Sequence, residues 1–207
     1  MARTMWTWTG AVVFVVLAAT AGARAADDKP EETPYYPLKV GNKWTYKSGE
    51  IKITVQVTKF EDVNKQNCAV LEMSGGNIKS PLVEKVAVTT NDGVYGVYRY
   101  VAAGQEVKPP VLVLKLPPKK DDTWKVNSMV GPEKLTGSFM TGEVAELKVL
   151  DKTYKNVVTV TGADFDANGQ KLSLTYYFAK DVGMIKQEIT IAGQQVVIEL
   201  EKFEPGK

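Results

Sequence analysis

From Tyr35 onward the chain alternates between apolar and polar residues with a period of two. Ile51, Ile53, Val55 and Val57 alternate with Lys52, Thr54, Gln56 and Thr58. Leu172, Leu174, Tyr176 and Phe178 alternate with Lys171, Ser173, Thr175 and Tyr177. Ile185, Ile189 and Ile191 share one face with Gln187, against Lys186, Glu188 and Thr190, and Val196, Ile198 and Leu200 alternate with Val197, Glu199 and Glu201. Each run predicts a strand with one dry and one wet face. Weaker strands are predicted at Cys68–Met73, Leu82–Thr89, Val94–Val101, Val111–Leu116, Leu135–Met140, Val144–Leu150 and Tyr154–Thr161. Trp44 and Trp124 each stand at the start of a further strand.

Between these runs lie short turn signals: Ser48-Gly49, Ser74-Gly75-Gly76-Asn77, Asn91-Asp92-Gly93, Asn168-Gly169 and Ala192-Gly193. Links this short make hairpins. No stretch of a dozen residues has the 3.6 period of a helix, and parallel strands need long, usually helical crossovers. The prediction is an all-β chain with little helix: an antiparallel meander of about ten strands. Such a sheet must cover its own apolar face, so it curls into a barrel or half-barrel, or folds into a sandwich. A curled sheet of this size can enclose a small apolar cavity.

The first 25 residues read differently. Arg3 opens them, Ala11–Ala19 is purely apolar, and Ala23-Arg24-Ala25 offers a small-x-small cleavage site. This predicts a signal peptide over 1–25, with an apolar core too short for a permanent membrane span. Residues 26–34, with Asp27, Asp28, Lys29, Glu31 and two prolines, predict a flexible lead-in. Residues 35–207 then form one β domain, periplasmic or secreted, with no transmembrane anchor.

Composition narrows the chemistry. Residues 1–25 hold two of the 26 Lys+Arg, Arg3 and Arg24, and none of the 24 Asp+Glu, so the remainder is neutral. A neutral domain lacks the concentrated basic surface that nucleic acid requires. The chain has no histidine, which removes the usual general base, metal ligand and pH switch. Cys68 is the one cysteine, so no intramolecular disulfide forms; its strand-like setting predicts a buried small apolar residue.

Candidate sites are few. Asp164-Phe165-Asp166-Ala167-Asn168-Gly169 fits the opening of a calcium loop, but the closing Glu is replaced by Thr175. The competing reading is a hairpin in which Asn168-Gly169 supplies positive φ angles, and no metal site is expected. Asp121-Asp122 beside Lys119-Lys120 predicts a solvated turn. Tyr98 and Tyr100 share a strand face and could stack on a ring-shaped ligand, although tyrosine is also simply a good strand residue. Val111-Leu112-Val113-Leu114, fenced by Pro109-Pro110 and Pro117-Pro118, predicts a strand covered on both faces. Pro37-Leu38-Lys39-Val40-Gly41-Asn42-Lys43-Trp44 echoes Pro117-Pro118-Lys119-Lys120-Asp121-Asp122-Thr123-Trp124. The echo predicts a reused turn-and-plug device rather than an aromatic pair marking one pocket.

Two stretches resemble a family of secreted bacterial domains of unknown function. The family pattern is Tyr-x-Pro-Leu, then Gly, then Trp-x-Tyr, and here it reads Tyr36-Pro37-Leu38-Lys39-Val40-Gly41-Asn42-Lys43-Trp44-Thr45-Tyr46. Its C-terminal hairpin reads Tyr177-Phe178-Ala179-Lys180-Asp181-Val182-Gly183-Met184-Ile185-Lys186. The resemblance implies a curved antiparallel sheet distantly similar to lipoprotein carriers, here without a lid helix. It carries over no catalytic residue and no cofactor. The expected role is a non-catalytic exported β domain acting as a binding or envelope-associated module. The rivals are a periplasmic carrier of a lipid or other apolar ligand and a carboxylate-only hydrolase. An apolar-lined cavity would favour the carrier, and a cleft with two inward carboxylates the hydrolase.

Overall fold

The computed structural model describes residues 33–76, 80–91, 94–102 and 105–206, with backbone alone over 90–91 and 94–102. The described residues form twelve antiparallel strands and no helix. These are β1 Lys43–Ser48, β2 Ile51–Val63, β3 Gln66–Gly75, β4 Leu82–Asn91, β5 Val94–Ala102 and β6 Gln105–Leu116. They continue as β7 Thr123–Val130, β8 Glu133–Val149, β9 Lys152–Ala167, β10 Gln170–Ala179, β11 Gly183–Ile191 and β12 Gln194–Glu204. The all-β meander expected from the alternation is therefore present, with twelve strands in place of about ten. Leu135–Met140 and Val144–Leu150, expected as two strands, are parts of β8. Asp164 to Ala167 ends β9 just before Asn168-Gly169, in keeping with the hairpin reading of this motif.

Neighbouring strands pair in chain order, and β1 pairs with both β2 and β12, so the sheet runs full circle. Alternation puts Trp44, Tyr46, Leu71, Val86, Tyr176, Phe178, Ile185 and Leu200 into the buried core. The outer face carries Lys–Glu pairs such as Lys47 and Lys52 on Glu201, and Lys186 on Glu188. Thr33 is buried and Pro34 accepts the Asp181 amide, so these two lead-in residues are tied to the sheet.

The ring has one thin join. β6 and β7 pair only at Val107–Val130 and Lys108–Met129. Pro109 and Pro110 follow at once and have no N–H to donate to a ladder. Side chains take over: Ser128 Oγ donates to Pro109 O at 2.5 Å, Trp124 Nε1 to Leu112 O at 2.9 Å, and Lys115 Nζ to Thr123 O at 3.2 Å. The curled sheet is thus a barrel by strand order and closer to a half-barrel at this seam.

The sequence echo is also an echo of hydrogen bonding. Asn42 N donates to Lys39 O, Gly41 N to Val57 O, and Val57 N to Asn42 O. Eighty residues later Asp122 N donates to Lys119 O, Asp121 N to Thr141 O, and Thr141 N to Asp122 O. Both indoles then donate to a backbone carbonyl, Trp44 to Val182 and Trp124 to Leu112. The turn-and-plug device is used twice, once where β1 meets β12 and once where β7 meets β6.

Candidate functional site: an apolar interior around Gln187

The dry faces do not meet everywhere. A cavity of about 340 Å³ lies inside the sheet, bounded by Val107, Val113, Leu135, Phe139, Leu174 and Ile189 among others. A second, of about 150 Å³, is lined by Tyr36, Trp44, Tyr46, Met73, Glu84 and Gln187 among others. Gln187 lines both. It stands opposite Tyr176 of β10 and Ile198 of β12, between Ile185 and Ile189 on the inner face. Among the described residues its carboxamide has no hydrogen-bond partner. Glu84 faces inward too, since its cross-strand partner is the core residue Leu71.

Among the described residues the interior is open at one end. Ile51, Leu82, Ile191 and Val196 sit beside the β1–β2, β3–β4 and β11–β12 turns, and their cross-strand partners lie on the inner face. A dry-face residue next to a filled core should be buried, yet these four are 39–47% exposed. They form an apolar mouth. The opposite end is shut. Trp44 Nε1 donates to Val182 O at 2.7 Å and Tyr46 Oη to Met184 O at 3.0 Å, while the Tyr36 and Phe178 ring centroids lie 6.1 Å apart. The two stretches that carry the family resemblance therefore lock onto each other as a plug. Gly183 has φ +92°, and a Cβ there would stand 3.3 Å from Pro37, so glycine suits both the turn and the close approach.

The remaining sequence candidates fall elsewhere. Asp164 accepts from Ser138 N at 3.2 Å and Ser138 Oγ at 3.0 Å, which holds its carboxyl below the usual range. Asp166 accepts from Gly169 N at 2.7 Å, and that bond, with Lys171, lowers its pKa as well. Asn168 (φ 57°) and Gly169 (φ 88°) make the β9–β10 turn, and Thr175 lies along β10 with its hydroxyl on Thr161. The motif works as a hairpin. Asp121 takes φ 64° in the second plug turn, and Asp122 pairs with Lys115 at 3.1 Å. Val111, Val113 and Leu114 are buried, and half-buried Leu112 packs on Cys68 and Ala87, so this strand is covered on both sides. Cys68 is fully buried; burial, helped by Asp62, pushes its thiol up to about 12. The side chains of Tyr98 and Tyr100, and residues 1–32, lie outside the described residues.

Sequence alone identified the dry faces and the room for an apolar cavity, but placed neither of the two. The one signal within reach was Gln187, a polar residue in an otherwise isoleucine row.

The chain is similar in structure to a candidate lipoprotein from Parabacteroides distasonis, at TM-score 0.54 and 10% identity over 84% of this chain and 100% of that one. A candidate exported protein with a YmcC-like fold from Bacteroides fragilis aligns at TM-score 0.49 and 11% identity, over 83% and 99% of the two chains. The first likeness shows a shared fold and no more. No protein-family model and no curated protein matches the chain.

Proposed function

We propose that this chain is an exported, envelope-associated β domain that binds an apolar or amphipathic small molecule inside its curled sheet. The observation that carries this reading is the cavity of about 340 Å³ bounded by Val107, Val113, Leu135, Phe139, Leu174 and Ile189. Ligand pockets are typically concave, mostly apolar and roughly 300–1,000 Å³ in volume. Protein interiors otherwise close-pack, with few voids larger than a water. The apolar mouth supplies an entrance, and the seam at Pro109-Pro110 lies beside the same cavity. Exported location is supported by the signal-like residues 1–25.

The hydrolase rival needs two carboxylates facing one cleft. Among the described residues lining the two cavities, Glu84 is the one carboxylate. The function proposed is binding rather than catalysis.

Native mass spectrometry of protein purified from its own host tests the reading. The expected spectrum contains a species heavier than the polypeptide, whose added mass extracts into organic solvent. Ile189→Trp fills the cavity from a half-buried position and should remove that species while leaving the melting temperature close to wild type. A wild-type protein that is empty from its host and also fails to take up N-phenyl-1-naphthylamine would refute the binding role.

A further inference from the structure

Gln187 interrupts a row that is otherwise Ile185, Ile189 and Ile191. A polar residue at a core-facing position weakens packing unless it has a use, and Gln187 is half-buried with its side chain at the wall of both cavities. Here the amide lines both cavities and, among the described residues, no side chain or backbone group satisfies it. A carboxamide offers one acceptor and two donors and carries no charge. The residues lining the larger cavity include no charged side chain, and the smaller one adds only the Glu84 carboxylate, so an anionic ligand group beside Gln187 would be desolvated without a compensating cation.

We propose that Gln187 reads the polar group of the bound molecule. The ligand is then a neutral chain molecule with a hydrogen-bonding carbonyl, an acyl amide or ester, rather than a free fatty acid or a plain hydrocarbon. Its chain occupies the larger cavity, and its carbonyl accepts from the Gln187 amide at the junction with the smaller one. This assignment rests on the cavity-binding reading above.

The experiment compares N-methyldecanamide, decanoate and decane as competitors for N-phenyl-1-naphthylamine on the full chain and on Gln187→Met. Methionine is close to glutamine in length and removes only the hydrogen-bonding group, so the variant should melt at or above the wild-type temperature. Wild type should bind the amide roughly tenfold more tightly than decanoate or decane, the effect of one well-made hydrogen bond without a charge penalty. Gln187→Met should bring amide and decane to within about twofold of each other. Decanoate binding best in wild type, or an amide preference that survives in Gln187→Met, overturns the role of Gln187 and leaves the cavity reading standing. Failure of the naphthylamine and all three competitors to bind overturns both.

Discussion

Trp44 and Val182 lie 138 positions apart in sequence, and the indole Nε1 of the first donates to the carbonyl of the second at 2.7 Å. The bond ties β1 to the β10–β11 turn across the closed end of the sheet. The indole also stacks on Phe203 with centroids 5.3 Å apart, so a ring from each chain end plugs the same opening. Sheets without a covering helix must close their ends with side chains, and an aromatic with a polar edge suits a site that is apolar except for one carbonyl.

Trp44→Ala should therefore act on folding. Truncating a buried aromatic typically costs about 3–5 kcal/mol, against net domain stabilities of about 5–15 kcal/mol. Trp44→Phe keeps the ring and loses the hydrogen bond, for about 1–2 kcal/mol. Urea titration should place the midpoints in the order wild type, Trp44→Phe, Trp44→Ala. An unshifted midpoint for the alanine variant would mean that the plug does not hold the sheet closed.

The extent to which this fold could be read in advance varies by element. Ile51–Val57 and Leu172–Phe178 became β2 and β10 because each keeps strict alternation beside a plain turn signal. Leu135–Leu150 looked like two strands because alternation fails around Thr141 and Gly142. The structure shows why: Gly142 packs on the Thr159 hydroxyl and Thr141 takes part in the second plug turn. Asp164–Gly169 was ambiguous because a calcium loop and a type I′ hairpin both want Asn-Gly. The places of the cavities were not legible, since alternation tells which face is dry but not whether facing side chains reach each other.

Phe165 imposes the next constraint. It is fully buried, and its ring covers Gly137 and Gly162, where an added Cβ would clash with it. At Gly137 that Cβ would stand 2.6 Å from Phe165 Cγ. Forced overpacking of this kind typically costs about 1–3 kcal/mol. Gly162→Ala should lower the melting temperature, and Phe165→Leu, which shortens the obstructing side chain, should make the two changes less than additive. A fully additive double mutant would show that the ring does not set the requirement for glycine.

Cys68 gives a pH prediction with a definite sign. Burial pushes its thiol up to about 12 in the folded protein, well above the ordinary thiol range. Below pH 8 both states hold the proton and the residue adds no pH dependence. Above 9 the unfolded chain releases the proton first, so unfolding gains and stability falls with rising pH. By pH 10 the difference amounts to about 1 kcal/mol. Cys68→Ala, compared with wild type between pH 7 and 10, should show the shallower decline. An equal decline in both would remove the thiol as its source. The native protein should also resist thiol reagents at pH 8 and react once unfolded.

The two plug turns permit a controlled comparison, because Asn42 and Asp122 occupy equivalent places with unequal duties. Each backbone N–H closes its turn onto the lysine carbonyl three residues earlier. Only the Asn42 side chain works inside the fold: it is 2% exposed, its Nδ2 donates to Pro37 O at 2.8 Å, and its Oδ1 accepts from Gly206 N at 2.7 Å. The Asp122 carboxylate, half-exposed, reaches Lys115. Asn42→Ala leaves the part-buried Pro37 carbonyl and Gly206 amide without this partner, a loss of up to about 1–3 kcal/mol for such a group. Asp122→Ala removes a partly exposed ion pair, typically about 0–1 kcal/mol. When residues 205–207 are deleted from both proteins, the stability difference between wild type and Asn42→Ala should shrink by the share of the Gly206 bond and keep the share of the Pro37 bond. Equal midpoints for Asn42→Ala and Asp122→Ala would show that the backbone turn alone, common to both sites, carries the stabilisation.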